Sequence, residues 1–175
     1  MQKTLAVIVV SMLLAGLTVS AVSAGESASV TITIQVMPID VIGVDPIGTI
    51  NPGQTGETDL KWTTNGDDRK VFVRVDHVPA GLKSLKVEAL TEGAWGEHRQ
   101  PPVSAGEVTL GTDQRELISA VGRSAGGCRI RYTTEVNPEA TVESEVVEVS
   151  YVFASANGAP LSVSSHRLTI GQLPR

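Results

Sequence analysis

Aromatic side chains are scarce in this chain: two Trp, two Tyr and two Phe among 175 residues. That rules out the broad multi-ring platforms many sugar-binding sandwiches present, and leaves each ring needing its own explanation. Cysteine is rarer still. Cys128 stands alone, so an intramolecular disulfide is impossible and the Cys-rich zinc patterns are excluded. Basic runs are missing too, with only pairs such as Arg69-Lys70 and Arg129/Arg131, so nucleic acid has no electrostatic footprint to bind. The three histidines, His77, His98 and His166, are too far apart for a local metal site, and surface or capping roles are expected for each. No Asp-rich calcium loop and no phosphate-binding glycine loop before a helix occurs. No metal and no cofactor is expected.

What is present begins with a leader. Lys3 precedes an uncharged apolar run, Leu5 to Leu17, and then the small neutral stretch Thr18 to Ala24. This is the layout of a secretory signal peptide, with Val22-Ser23-Ala24 as the cleavage site and Gly25 as the new N-terminus. The rival is an uncleaved anchor, since residues 4–22 carry no charge. The small residues after Leu17 suit a peptidase better than lipid. Residues 1–24 are therefore set aside, and 25–175 are expected to form one domain, long enough to bury a core. Losing Lys3 leaves 13 basic and 19 acidic side chains, a net charge of −6. The expected address is extracellular or cell-surface, or periplasmic in a cell with an outer membrane, with no membrane contact after cleavage.

The rest of the chain reads as strands. Ser29 to Val36 alternates strictly, with Val30, Ile32, Ile34 and Val36 on one face and Ser, Thr and Gln on the other. Ile39 to Val44 continues it after Pro38. Leu60 to Thr64 and Lys70 to Asp76 flank Asn65-Gly66, a strong hairpin signal because both residues accept positive φ. Further strands are expected at 85–90, 106–110, 128–134, 145–153 and 161–170, with Asn157-Gly158 turning between the last two. Asp113 to Val121 has helical credentials: Asp113 and Glu116 have capping-box spacing, and Leu117, Ile118 and Val121 fall on one side. A short strand at 117–121 competes. The expected fold is all-β, an antiparallel immunoglobulin-like sandwich of about eight strands, because a βαβ fold would need helices between strands. Cys128, at the start of a strand, is expected to be a small buried hydrophobe, with a dimer-forming thiol as the alternative.

The order Trp62-Thr63-Thr64, a Val-rich strand, Pro79-Ala80-Gly81-Leu82, Ser104 to Leu110, Tyr132 and a last Val-Ser-Tyr strand resembles small exported prokaryotic immunoglobulin-like sandwich proteins. The resemblance covers about half of the chain. It implies the fold and no activity.

Chemistry is thinly represented. Gly122-Arg123-Ser124-Ala125-Gly126 matches the G-x-S-x-G nucleophile elbow, which requires strand, strained turn and helix. Here a strand follows, so the motif is expected to be an exposed Gly/Ser hairpin loop, Ser124 silent, and no catalytic residue is assigned. Asp67-Asp68 reads as a hairpin tip, and Glu143, Glu145 and Glu148 as solvated surface. Gly93 to Ser104 is the longest stretch without strand or helix signal. It holds Trp95 beside Glu97, His98 and Arg99, groups able to stack on a sugar or anchor a protein; folding back over the sandwich end is the alternative. The Ser29–Val36 strand offers strand donation to a neighbouring copy, or serves as the first strand of its own sheet. The expected function is non-enzymatic: binding or assembly at or beyond the cell surface, with an extracellular protein or glycan, or a second copy, as partner.

Overall fold

A computed structural model describes residues 33–172, apart from 99, 140 and 142. The chain divides into two units, Met1–Gln35 and Val36–Arg175. In the first only residues 33–35 are described, and they carry no regular structure.

The second unit has ten strands, and no helix among the described residues: β1 (Asp40–Val44), β2 (Thr55–Thr64), β3 (Arg69–Val75), β4 (Leu82–Gly96), β5 (Val103–Ser104), β6 (Glu107–Thr109), β7 (Arg115–Val121), β8 (Ser124–Val136), β9 (Glu145–Ala154) and β10 (Pro160–Ile170). They form two five-stranded sheets, β1-β2-β8-β4-β6 and β10-β9-β3-β7-β5, with every strand pair antiparallel. The fold is thus the antiparallel sandwich the patterning implies, with ten strands rather than eight.

Period-2 alternation builds the core. Leu60 and Trp62 of β2, Val71, Val73 and Val75 of β3, Ile130 and Tyr132 of β8, and Val147, Val149 and Tyr151 of β9 all turn inward. Burial of each large apolar side chain is worth about 1.5–3 kcal/mol, so this layer carries most of the stability. Tyr132 and Tyr151 meet hydroxyl to hydroxyl, and Nε2 of His166 lies 2.7 Å from the Tyr132 hydroxyl. That chain joins both sheets and satisfies the buried phenols. His166 is therefore half-buried and faces inward rather than lying free on the surface.

Four expectations are corrected. First, Asn65-Gly66 does not close a hairpin, because β2 and β3 lie in different sheets. Neither residue takes positive φ; Asp68 does, at 53°. The Asn65 side chain instead holds the segment before β1, accepting from Ile39 N at 2.8 Å and donating to Met37 O at 2.7 Å. Asp40 finishes the crossing by accepting from Thr64 Oγ1 (2.6 Å) and from Arg69 Nε and Nη2 (2.8 and 3.1 Å).

Second, of the two readings of Asp113 to Val121 the helix fails and the strand holds, as β7 from Arg115 to Val121. On β3 the pairing steps from Arg69 to Val71 while on β7 it steps from Val121 to Ile118, so β7 bulges, with Ala120 at φ 56°. The bulge lets Ile118 and Val121 both face inward, and that spacing mimics a helix. Third, Thr33 to Val36 belongs to no strand, and Ile34 and Val36 are exposed; Val30 and Ile32 lie outside the described residues. Fourth, Cys128 sits well inside β8 rather than at a strand start; it is fully buried. Asn157-Gly158 does turn the β9–β10 hairpin as expected, with Gly158 at φ 84°.

Candidate binding site

Residues Gly93 to Gly96, expected in a loop, form the end of β4. Their pairing is irregular: Leu90 faces Arg129 and Trp95 faces Gly127, so five steps along β4 oppose two along β8. Three extra residues are an odd number, and an odd insertion reverses which face a side chain takes. Leu85, Val87 and Ala89 point inward. After the bulge Ala94 packs against the core and Trp95 turns out, 39% exposed.

A glycine receives the ring. A Cβ on Gly127 would come within 2.9 Å of Trp95 Cζ2 and 2.3 Å of Leu60 O, so no other residue lets the indole and the neighbouring backbone approach so closely. Gly96, at φ 102°, then turns the chain away from the sheet. Beyond it Glu97 is exposed, and His98 Nε2–H donates to Trp95 O at 2.8 Å. The imidazole sits 5.8 Å from the Trp62 ring, tilted 45°. Arg99 lies outside the described residues.

Two depressions flank this corner. On the outer face of the first sheet, a trough of about 320 Å³ runs between Val41 and Gly43 of β1, Lys61 and Thr63 of β2, Gly126 of β8 and Trp95. Across the turn a second hollow, about 450 Å³, is lined by Glu97, His98, Arg123, Ser124 and Ala125. The structure thus places Trp95 on one hollow and Glu97 and His98 on the other. Val41, Gly43, Lys61 and Thr63 are not marked in the sequence, since strand pairing alone brings them to Trp95. The Gly126-Gly127 pair inside a strand is the one local signal of close approach.

Lys61 bonds Asp45 at 2.5 Å, which holds its ammonium above the usual lysine range. The rest of that outer face is laced with ion pairs, including Arg131–Glu57 at 2.8 Å and Lys86–Glu107 at 2.9 Å.

Ser124 is no exposed loop residue. It opens β8 and is buried; its Oγ accepts from Trp62 Nε1 at 3.0 Å and donates to Gly122 O at 2.9 Å. A strand follows it, so the elbow geometry is missing. Cys128 is enclosed, and burial, helped by the Asp59 charge, pushes its thiol up to about 12. His77 is half exposed between Asp76 (3.1 Å) and Glu145 (2.8 Å), whose hydrogen bonds raise it above the usual imidazole value.

No family model matches this chain, and no curated protein matches it. Several solved structures share a loose likeness. The CARDB domain of a Pyrococcus furiosus protein, solved with di-metal ions, is 8% identical, with a TM-score of 0.39 over 77% of this chain and 94% of that one. The CooA pilin subunit from enterotoxigenic Escherichia coli is 12% identical, with a TM-score of 0.42 over 77% and 90%. The CupB6 tip adhesin from Pseudomonas aeruginosa is 12% identical, with a TM-score of 0.44 over 78% of this chain; the match spans 43% of the adhesin. The sandwich assignment rests on the strand order described above.

Proposed function

We propose that this chain is an exported, non-enzymatic β-sandwich that binds a partner at or beyond the cell surface through the corner carrying Trp95. Export rests on the leader, with cleavage after Ala24 leaving Gly25 first; an intact mass of the exported protein beginning at Gly25 is the expected result. The non-enzymatic reading is supported by Ser124, whose hydroxyl is spent on Trp62 and Gly122.

One observation carries the binding reading: a tryptophan turned outward by a bulge, seated on a glycine and left open at the side of a trough. A large ring with little conformational freedom is the kind of anchor on which binding energy concentrates. Labelled mature protein applied to intact cells and extracellular polymer should adsorb, and Trp95→Ala should lose the adsorption while still melting in one cooperative transition. Equal adsorption by Trp95→Ala would remove Trp95 from the site.

A further inference from the structure

We infer that the trough beside Trp95 holds a single uncharged pyranose ring of an extracellular polysaccharide, stacked on the indole and hydrogen-bonded at the rim by Lys61 and Thr63. This rests on the reading of that corner as a binding site. The trough, at about 320 Å³, lies at the small end of ligand sites, which run roughly from 300 to 1,000 Å³. It has an aromatic wall at Trp95, an aliphatic one at the exposed Val41, a floor of strand backbone at Gly126 and Gly43, and polar ends on β2. A pyranose has the matching surface: one face of C–H groups and a rim of hydroxyls.

Other occupants fit worse. A protein partner covers about 800 Å² per side around a cluster of apolar anchors, whereas the sheet beyond the trough carries paired charges. A nucleobase stacks on Trp equally well, but its phosphates would meet a chain of net charge −5, and the trough's lysine is already paired to Asp45. A quaternary ammonium wants a cage of several rings, and here one exposed ring sits beside a cation. Because Lys61 is neutralised by Asp45, the sugar it serves is neutral.

Gly43 supplies a clean test. A Cβ there meets nothing within 4 Å, so Gly43→Val is accommodated by the strand while its methyls fill the trough. The mature protein is applied to an array of plant, fungal, bacterial and animal glycans, and in parallel to collagen, fibronectin and deglycosylated mucin. Glycan hits are then titrated calorimetrically as neutral hexasaccharides. The expected result is binding to at least one neutral glycan, weakened about tenfold or more by Trp95→Ala and by Gly43→Val, both variants remaining folded and melting cooperatively. Glycan binding that survives both substitutions overturns the assignment to this trough. Trp95-dependent binding to proteins but to no glycan overturns the sugar while leaving the binding corner. Silence across both arrays overturns both.

Discussion

The indole nitrogen of Trp62, on β2, donates to the Oγ of Ser124, on β8, at 3.0 Å, and the Ser124 hydroxyl donates in turn to Gly122 O. A buried Trp N–H wants a partner, and here a serine at a strand start is that partner. The bond gives the serine that stands between glycines at Gly122 to Gly126 a structural role.

Ser124→Ala is therefore a destabilising substitution. It leaves the Trp62 N–H buried and unpaired, at a cost of about 1–3 kcal/mol. Urea denaturation followed by tryptophan fluorescence should show the unfolding free energy falling by that amount, with the midpoint shifted down and m unchanged. In the wild-type protein a fluorophosphonate should leave Ser124 unlabelled; labelling would restore the nucleophile-elbow reading.

Asp40 and Arg69 should behave as a clamp between the sheets. Their side chains are only 6% and 18% exposed, and the contact is two-pronged. Asp40→Ala strands a largely enclosed guanidinium and the Thr64 hydroxyl, costing roughly 3 kcal/mol. Replacing both partners, as Asp40→Ala with Arg69→Leu, should recover part of the loss. Denaturation midpoints of the three variants decide it; a double variant no better than Asp40→Ala would show that the charge left behind is not the cause.

Local chemistry was legible where it acts locally. Val71, Val73 and Val75 announce an inward face, Asn157-Gly158 a turn, and Cys128 a buried sulfur. What neighbours along the chain do not encode is which sheet a strand joins. Asn65-Gly66 looks like a hairpin because its turn propensity is strong, yet β2 and β3 lie in different sheets, and the Asn65 side chain is used to hold the segment before β1. Bulges deceive in the same way: at Ala120 one produces helical spacing, and before Trp95 one reverses the facing of the strand. Trp95 stands out in the sequence by its rarity among loop-like residues. Its trough companions Val41, Gly43 and Lys61 do not, since pairing across β1, β2 and β8 makes them neighbours.

The two perturbed histidines should pull stability in opposite directions. Burial lowers the His166 pKa below 6.5, so the unfolded chain takes up the proton more readily. Its contribution is complete above pH 6.5 and is lost as pH falls from there through its native value. His77 is raised, first by the hydrogen bond it donates to Asp76 and then by the one it donates to Glu145. Its contribution is complete below pH 6.5 and fades as pH rises through its native value; exposure keeps it small. Melting temperatures of His77→Gln should show a simpler profile, falling on acidification below 6.5 and losing the wild-type slope above it. An unchanged slope above 6.5 would rule out the His77 part.

Cys128 should be inert while the chain is folded. Its thiol is fully buried and titrates at about 12, leaving almost no thiolate at pH 8. Ellman's reagent should react with it only in denaturant. Rapid reaction under native conditions, or a disulfide-linked dimer, would place the sulfur at the surface and revive the dimer-forming thiol.

The last prediction concerns the N-terminal segment. If Ser29 to Val36 were the first strand of its own sandwich, removing it would open the core, at a cost comparable to the whole stability of a domain. Among the described residues, however, Thr33 to Val36 pair with nothing in a sheet, and β1 begins at Asp40. All ten strands lie within Val36–Arg175. A chain starting at Val36 keeps Met37 O and Ile39 N, the two groups Asn65 holds. It should therefore fold as a monomer with a melting temperature close to that of the mature protein, and ultracentrifugation should find the mature protein monomeric as well. Strand donation predicts the reverse: concentration-dependent polymers of the mature chain, and a truncated chain that binds and is stabilised by a peptide of residues 25–40. Polymers together with peptide rescue would make this a fibre subunit. A truncated chain that fails to fold, and that no peptide rescues, would return Ser29 to Val36 to its own sheet.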